Sequence, residues 1–435
     1  MKKKVISVLL ALTMVLGCTA CGGSSDGDSS SGSSEGKTTI KVFSNLPDRT
    51  TGQGLIEQML IDQYMEENEN VVIEVEALDD ESYKTKFKAY ASGSSMPDLV
   101  NVWGQPSFLN EVIDEGILAE LNQDDYTDYN FLEGSLDGFS KDGKLYGLAR
   151  NTDVMGFYYN KAIFEECGIS IPTTYDEFLE AVAVLKEKDY IPVAFDGSDK
   201  WPMSIYINDL YQKISGQNTY DEVYEAVNSG DYSNEAWSQA IDLTMEAVDA
   251  GAFQSGFETT DYGTSMNLFS NGQAAMYYMG SWEMSIATNE DISEEVRSNI
   301  GAFAMPTVTG GSGSVTDVCA WNGGGYAVTE SSAVKEEAIK LLNYMFEPEN
   351  WSKLCWENGV CMSAQNFTDY LTGEETDLQN EWIEVLNSAT SISGVTFNDL
   401  GTNEFKTISE DASIELTIGS LDKEQFLSTL SNAIK

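Results

Sequence analysis

MGFYYNKAIFEECGISIPTTYDEFLEAVAVLKEK, residues 155–188, changes hydrophobic period twice within one stretch. MGFYYN is a short apolar and aromatic run of strand type, NKAIFEECGI has the length and polarity of a short helix ending near Gly168, and IPTTYDEFLEAVAVLKEK reads as a longer helix. In the longer helix Thr174 and Glu177 have capping-box spacing, and Phe178, Val182 and Leu185 form the apolar stripe. IPVAF follows as another strand. The same grammar extends outward in both directions. Upstream, TIKVFS, VVIEVEA and LVNVW alternate with helix-patterned segments, one of which carries Tyr83, Phe87, Tyr90 and Ala91 at intervals of three to four. Downstream, GGYAV precedes SSAVKEEAIKLLNYMF, whose Val334, Ala338, Leu341, Leu342 and Met345 share one helical face. Alternation of this kind predicts α/β layering with a largely parallel sheet. At 435 residues without an obvious linker, the chain is expected to form two α/β lobes and to cross between them several times.

Composition narrows the function. With 71 Asp plus Glu against 24 Lys plus Arg, the formal charge is −47, a sign that repels nucleic acid and anionic lipid. The absence of histidine removes Ser-His-Asp and Cys-His catalysis and His-ligated metal sites. No cofactor and no metal is expected. NQDDYTDYN, residues 122–130, is carboxylate-rich but lacks the glycine and terminal glutamate of an EF-hand, and reads as a solvated loop.

The start, MKKKVISVLLALTMVLGCTACGG, joins three lysines to an apolar stretch from Val5 to Leu16 and then to small residues. That stretch is shorter than the roughly 20 residues needed to span a bilayer, which marks a secretory signal over residues 1–20. The ending resembles the lipobox of bacterial lipoproteins. Cys21, preceded by Thr19 and Ala20, is the favoured lipidation site, with Cys18 the alternative. Residues 22–36 are only Gly, Ser, Asp and Glu, so 21–37 reads as a flexible tether. Of the remaining cysteines, Cys167, Cys319, Cys355 and Cys361, the last two flank WENGV, where either a local disulfide or two free thiols would fit.

The order of landmarks carries a resemblance. PDLVNVWGQ, GILAEL, DGKLYGLARNTDVMGFYYNKAIFEECGISIPTTYDEFLEA, GQAAMYYMGSWE and GGGYAVTESSAVKEEAIKLLNYM together resemble the extracellular solute-binding proteins of bacterial sugar importers, the general type that includes maltose-binding protein. The likeness implies a periplasmic-binding-protein-like fold: two α/β lobes with mixed sheets, joined by a multi-strand hinge and closing on a carbohydrate. By analogy the first lobe takes residues 38–150 with 322–372 and the second 151–321 with 373–435. It further implies a monomer without catalytic activity, lipid-anchored on the extracellular face of the membrane, that delivers its sugar to the permease of an ABC transporter. A secreted glycosidase, which needs two carboxylates and no histidine, is the alternative.

A neutral sugar presents C–H faces and a rim of hydroxyls, which proteins meet with aromatic platforms and planar polar groups. On the analogy Trp282, just past MYYMG, occupies a stacking position on the second lobe, with Gly280-Ser281 expected to turn the backbone there. Trp103, at the end of LVNVW, caps the core or faces the ligand. Asp199 and Trp201, in GSDKWP, match a cleft loop. Asp153 stands at the first expected crossing, and Trp321 with Asn322 at the second, where the glycines that follow suit close backbone approach. Asn45, Asp48 and Arg49 follow the first strand, at the carboxyl end where α/β sheets bind ligands; a surface salt bridge is the plainer reading of them. Glu283 is exposed by alternation and is a further candidate for ligand contact, with a solvated charge the plainer reading. Phe397, Asn398 and Phe405 lie where some relatives supply a further aromatic, though no tryptophan stands there.

Overall fold

A computed structural model describes residues 36–93, 95–217 and 219–434. The signal peptide, Cys18, Cys21 and nearly all of the tether lie outside the described residues. From Thr38 onward the contacts tie the chain into a single unit. Within it are two five-stranded sheets, each backed by its own core, and two short two-stranded pairings.

The first sheet has the strand order Val71–Ala77, Thr38–Ser44, Leu99–Trp103, Gly324–Val328, Leu148–Ala149. Its first two pairings are parallel and the next two antiparallel. Ile40, Val42, Leu99 and Val100 bury their side chains against Ile56 and Leu60 of helix Gly52–Glu67 and against Leu341 and Leu342 of helix Lys335–Phe346. The apolar stripe of the latter helix is the one its spacing predicts.

The second sheet has the order Ile300–Phe303, Asp153–Asn160, Ala274–Gly280, Ile191–Ala194, with Ala320–Trp321 paired to the start of Asp153–Asn160. Here the expectation of a largely parallel sheet fails. Only the pairing of Ile191–Ala194 with Ala274–Gly280 is parallel. The connection accounts for one of the antiparallel pairings: Asp153–Asn160 carries the chain into the second sheet, and Ala320–Trp321, which carries it back, must run the other way. The stretch that follows Asp153–Asn160 behaves as its sequence predicts. Asn160 caps helix Lys161–Cys167, which ends at Gly168 with φ 69°, and Thr174 and Glu177 close a reciprocal capping box on helix Tyr175–Glu187.

Three chain segments pass side by side between the sheets. Arg150 N donates to Gly324 O at 2.9 Å and Met155 N to Cys319 O at 2.8 Å on one side; Thr152 N donates to Met362 O at 2.9 Å on the other. These bonds make a three-stranded hinge with residues 150–155 in its centre. Trp351 Nε1 anchors it from the first core by donating to Arg150 O at 2.7 Å.

One reading left open is settled and another changes. Cys167, Cys319, Cys355 and Cys361 are all free thiols. The segment 122–130 is less solvated than its composition suggests: Gln123–Tyr126 forms a 3-10 turn, and buried Tyr126 donates its hydroxyl to Asn343 at 2.8 Å.

Candidate functional site

The tryptophans fall into two sets. Trp237, Trp351, Trp356 and Trp382 are buried in the cores, whereas Trp103, Trp201, Trp282 and Trp321 are half-buried. Three of the half-buried set meet where the second lobe joins the hinge.

Trp282 follows the fully buried strand Ala274–Gly280 and opens a 3-10 helix, Ser281–Ala287. The chain turns at Gly280–Ser281 as expected, but without a left-handed glycine, since the φ of Gly280 is −82°. Its hydrogen is needed for another reason: the Trp282 indole folds back over it, and a β-carbon there would lie 1.9 Å from the ring. Buried Ser281 accepts a bond from Val154 N at 3.1 Å, which ties the strand end to the hinge. The ring edge is fixed as well, because Trp282 Nε1 donates to Tyr262 Oη at 2.9 Å and Tyr262 donates to the Glu283 carboxylate. Glu283 is therefore a half-buried partner rather than a solvated charge, and burial raises its pKa, offset in part by the Tyr262 bond.

Trp201 starts helix Trp201–Ser215 and donates its backbone N–H to Asp199 O at 2.8 Å. The preceding Lys200 has φ 68°, a left-handed geometry that a side-chain-bearing residue adopts at a cost. Trp201 and Trp282 have ring centroids 5.9 Å apart at 54°, and Trp282 and Trp321 6.3 Å apart at 63°. Trp321 lies opposite Asp153 in the hinge ladder. The glycines after it do permit close approach: a β-carbon on Gly323 would sit 2.6 Å from both Asp153 Oδ2 and Trp321 Nε1, and one on Gly324 would sit 2.7 Å from Arg150 Nε. Asn322 accepts from Thr152 Oγ1 at 3.0 Å. Burial pushes the Asp153 carboxyl up to about 7 against the opposing pull of Arg150, the Gly323 and Gly324 amides and Asn151. Asp153 thus acts as a hinge acceptor.

The first-lobe wall is built differently. Trp103 ends the strand Leu99–Trp103 and packs edge-on against Tyr83 and Phe108, with centroids at 5.6 and 5.1 Å. Lys84 Nζ lies 5.3 Å over its ring and bonds Glu81 at 2.7 Å and Asp80 at 3.3 Å. Asn45 joins this group through Nδ2 to Asp80 Oδ1 at 2.6 Å, and its Oδ1 accepts from Arg150 Nη1 at 2.9 Å. The walls face one another. Asp199, on the second lobe, is shifted up by burial, and the charges of Glu81 and Asp80 add to the shift while Lys84 opposes it. Asp196 behind it is fully buried, is also pushed up by burial and by Asp199, and has an Oδ2 without a partner among the described residues.

Three candidates are used elsewhere. Arg49 turns inward to pair with Glu57, a fully buried carboxylate that also accepts from Ser44 and Tyr326. The surface salt bridge expected there is an anchor of the first core. Asp48 accepts from its own loop, from Thr50 N at 2.8 Å and Thr50 Oγ1 at 2.7 Å. Phe405, 2% exposed, packs with Phe397 into the second core, as the buried face of helix Asn403–Thr417 requires, and offers no ring to the cleft.

Other groups at these walls escaped the sequence. Lys84 and Tyr262 lie on helices Asp80–Ala91 and Tyr262–Ser270, and nothing in their spacing marks them. Gln53, at the start of the helix after the first strand, and Gln105, after Trp103, each bury an Oε1 without a partner among the described residues. Both follow carboxyl ends of strands in the first sheet, where that rule of position does predict ligand groups. Among the described residues no group of His, Cys, Asp or Glu could hold a metal ion. Two surface cavities, of about 450 Å³ around Glu222 and Trp237 and about 640 Å³ around Glu76 and Ser332, lie away from the four tryptophans. Each is confined to one lobe.

Residues 48–350 match the bacterial extracellular solute-binding protein family. The chain belongs to this family. It is 25% identical over 343 residues to the multiple sugar-binding protein of Streptococcus mutans, covering 78% of this chain and 76% of that one. Solved structures with the same fold include a protein from work on xylan utilization by the thermophile Caldanaerobius polysaccharolyticus, with a TM-score of 0.83, 24% identity, and coverage of 92% of this chain and all of that one. A chitin oligosaccharide binding protein aligns with a TM-score of 0.80 at 24% identity, over 91% of this chain and 98% of its own. The architecture is thus that of the periplasmic binding proteins, two α/β lobes on a hinge. The family is one of extracellular binding proteins, and no helix among the described residues is long and apolar enough to cross a membrane.

Proposed function

We propose that the protein captures a neutral oligosaccharide between its lobes, with residues 38–150 and 322–372 forming one jaw and 151–321 and 373–435 the other. The observation that carries this reading is the contiguous run Trp201–Trp282–Trp321, drawn from three separate segments onto the hinge side of the second lobe. Sugar C–H faces stack on such rings, while Asn45, Asp199, Asn322, Gln53 and Gln105 are planar groups suited to hydroxyls. Three indoles on one wall and Trp103 on the other exceed what the two faces of one monosaccharide can use, which favours at least two sugar units. Arg49 is paired with Glu57 and buried Arg150 donates to Asn45 and Asn151, and this, with the chain's formal charge of −47, favours a neutral sugar over a uronic acid or a sugar phosphate. In this reading the chain acts as a monomer without catalysis, tethered through lipidated Cys21, and hands its sugar to an ABC permease.

A thermal-shift screen tests it. A ligand at 100 times its dissociation constant adds about 2.7 kcal/mol to stability, and neutral di- and longer saccharides are expected to do so. Stabilisation by monosaccharides alone, or by acidic sugars with an affinity that falls as salt rises, would overturn the reading.

A further inference from the structure

Along one rim of the cleft the lobes bond directly to each other. Helix Pro106–Asp114 belongs to the first core through Leu109 and Val112, and the segment from Phe397 to Thr417 belongs to the second through Phe397, Leu400, Phe405 and Ile414. Between them Ser107 Oγ donates to Asp399 Oδ1 at 2.5 Å. Asp399 is held in turn by Lys406 at 2.8 Å, and Lys406 pairs with Glu410 at 2.6 Å. Fully buried Asn398 donates to Glu410 at 2.9 Å, which completes the support from behind. Nearby a second bond crosses the gap, from Lys88 Nζ to Asn403 Oδ1 at 2.9 Å.

This is not a loose surface pair. Ser107 is 1% exposed, and the Asp399, Lys406 and Glu410 side chains are 14%, 17% and 12% exposed. A hydrogen bond from a hydroxyl to a carboxylate in such surroundings is short and about twice as strong as a neutral one. Ser107 also lies in the first turn of its helix, so the Asp399 charge meets the positive end of the helix dipole. All of these groups are protein groups, and no tryptophan of the binding wall is among them.

We propose that Asp399, braced by Lys406 and Asn398–Glu410, is an interlobe latch that closes on Ser107 and stabilises the shut form of the protein. The latch therefore sets sugar affinity without touching sugar, because apparent affinity scales with the fraction of molecules in the binding-competent form. Its effect on affinity rests on the sugar-binding reading above; its effect on closure does not.

The test uses the full chain with Ser107→Ala, which removes one oxygen from a helix that should otherwise fold, and Asp399→Asn as a second variant. Small-angle X-ray scattering without sugar reads closure, and calorimetry with a saccharide found by the screen reads affinity. Ser107→Ala is expected to raise the radius of gyration and to weaken binding about tenfold, and Asp399→Asn added to it should cost little more, since both act on one bond. Scattering identical to the unsubstituted protein would overturn the latch. A changed radius with unchanged affinity would overturn its part in binding. A parent protein that binds no sugar would refute the proposed function while the scattering comparison still judged the latch.

Discussion

On the second lobe three indoles from three segments lean on one another in sequence, while on the first a single indole, Trp103, lies beneath an ammonium group and among carboxylates. One wall is an apolar surface held in place by its own edges: Trp282 by Tyr262 and by the bare α-carbon of Gly280, Trp321 by the hinge ladder. The other is a polar network in which Asn45, Asp80 and Lys84 fix one another. On the proposed sugar-binding reading, this difference would give affinity to the second wall, which offers apolar ring surface, and orientation to the first, which offers charged partners for hydroxyls.

Substitutions that exchange the two roles would break this contrast. Trp282→Ala should cost most, about 1.5–3 kcal/mol of apolar burial, or a roughly 10- to 150-fold rise in Kd by titration calorimetry. Gly280→Ala keeps every tryptophan yet drives a methyl into the Trp282 ring, so it should lower stability by about 1–3 kcal/mol in urea unfolding and weaken binding as well. Normal binding in this variant would mean that the placement of the indole does not matter. Trp103→Ala should weaken binding less than Trp282→Ala, and a double-mutant cycle with Lys84→Met should give a coupling of about 0.5–1 kcal/mol, the size of a cation–π contact. A larger loss at Trp103 than at Trp282 would invert the assignment.

Asp153→Asn should affect binding least and pH dependence most. The folded carboxyl holds its proton up to about pH 7 against an ordinary value of 3.8, so the folded state binds more protons than the unfolded chain between those limits. Stability contributed by this group therefore falls as pH rises from about 4 to 7, and the cost is complete above that range. The variant should gain stability relative to the parent as unfolding is measured at successively higher pH within this window. A difference that stayed flat with pH would show that Asp153 is already ionised in the hinge.

Much of this arrangement is written in local patterns. The capping box of Thr174 and Glu177, the apolar stripe of Leu341 and Leu342, and the strand endings at Trp103 and Gly280 follow from local patterns. Strand direction does not, because an apolar run such as Ala274–Gly280, buried throughout, reads the same in a parallel or an antiparallel pairing. Partners distant in sequence are equally silent. Arg49 reads as a surface charge until Glu57 is found fully buried behind it, and Gly280 reads only as a turn until the ring two residues on is seen to cover it. Phe405 illustrates the same gap from the other side, since an aromatic at a helix start gives no sign of whether it faces a cleft or a core.

The two sets of tryptophans allow the central claim to be tested directly. All eight can be labelled with 5-fluorotryptophan, assigned by single Trp→Phe exchanges and followed by fluorine NMR while a saccharide from the screen is titrated in. The resonances of Trp201, Trp282 and Trp321 should move most, that of Trp103 less, and those of core Trp237 and Trp382 not at all. A saccharide that binds tightly while those four half-buried tryptophans stay still would contradict the account and place the site elsewhere.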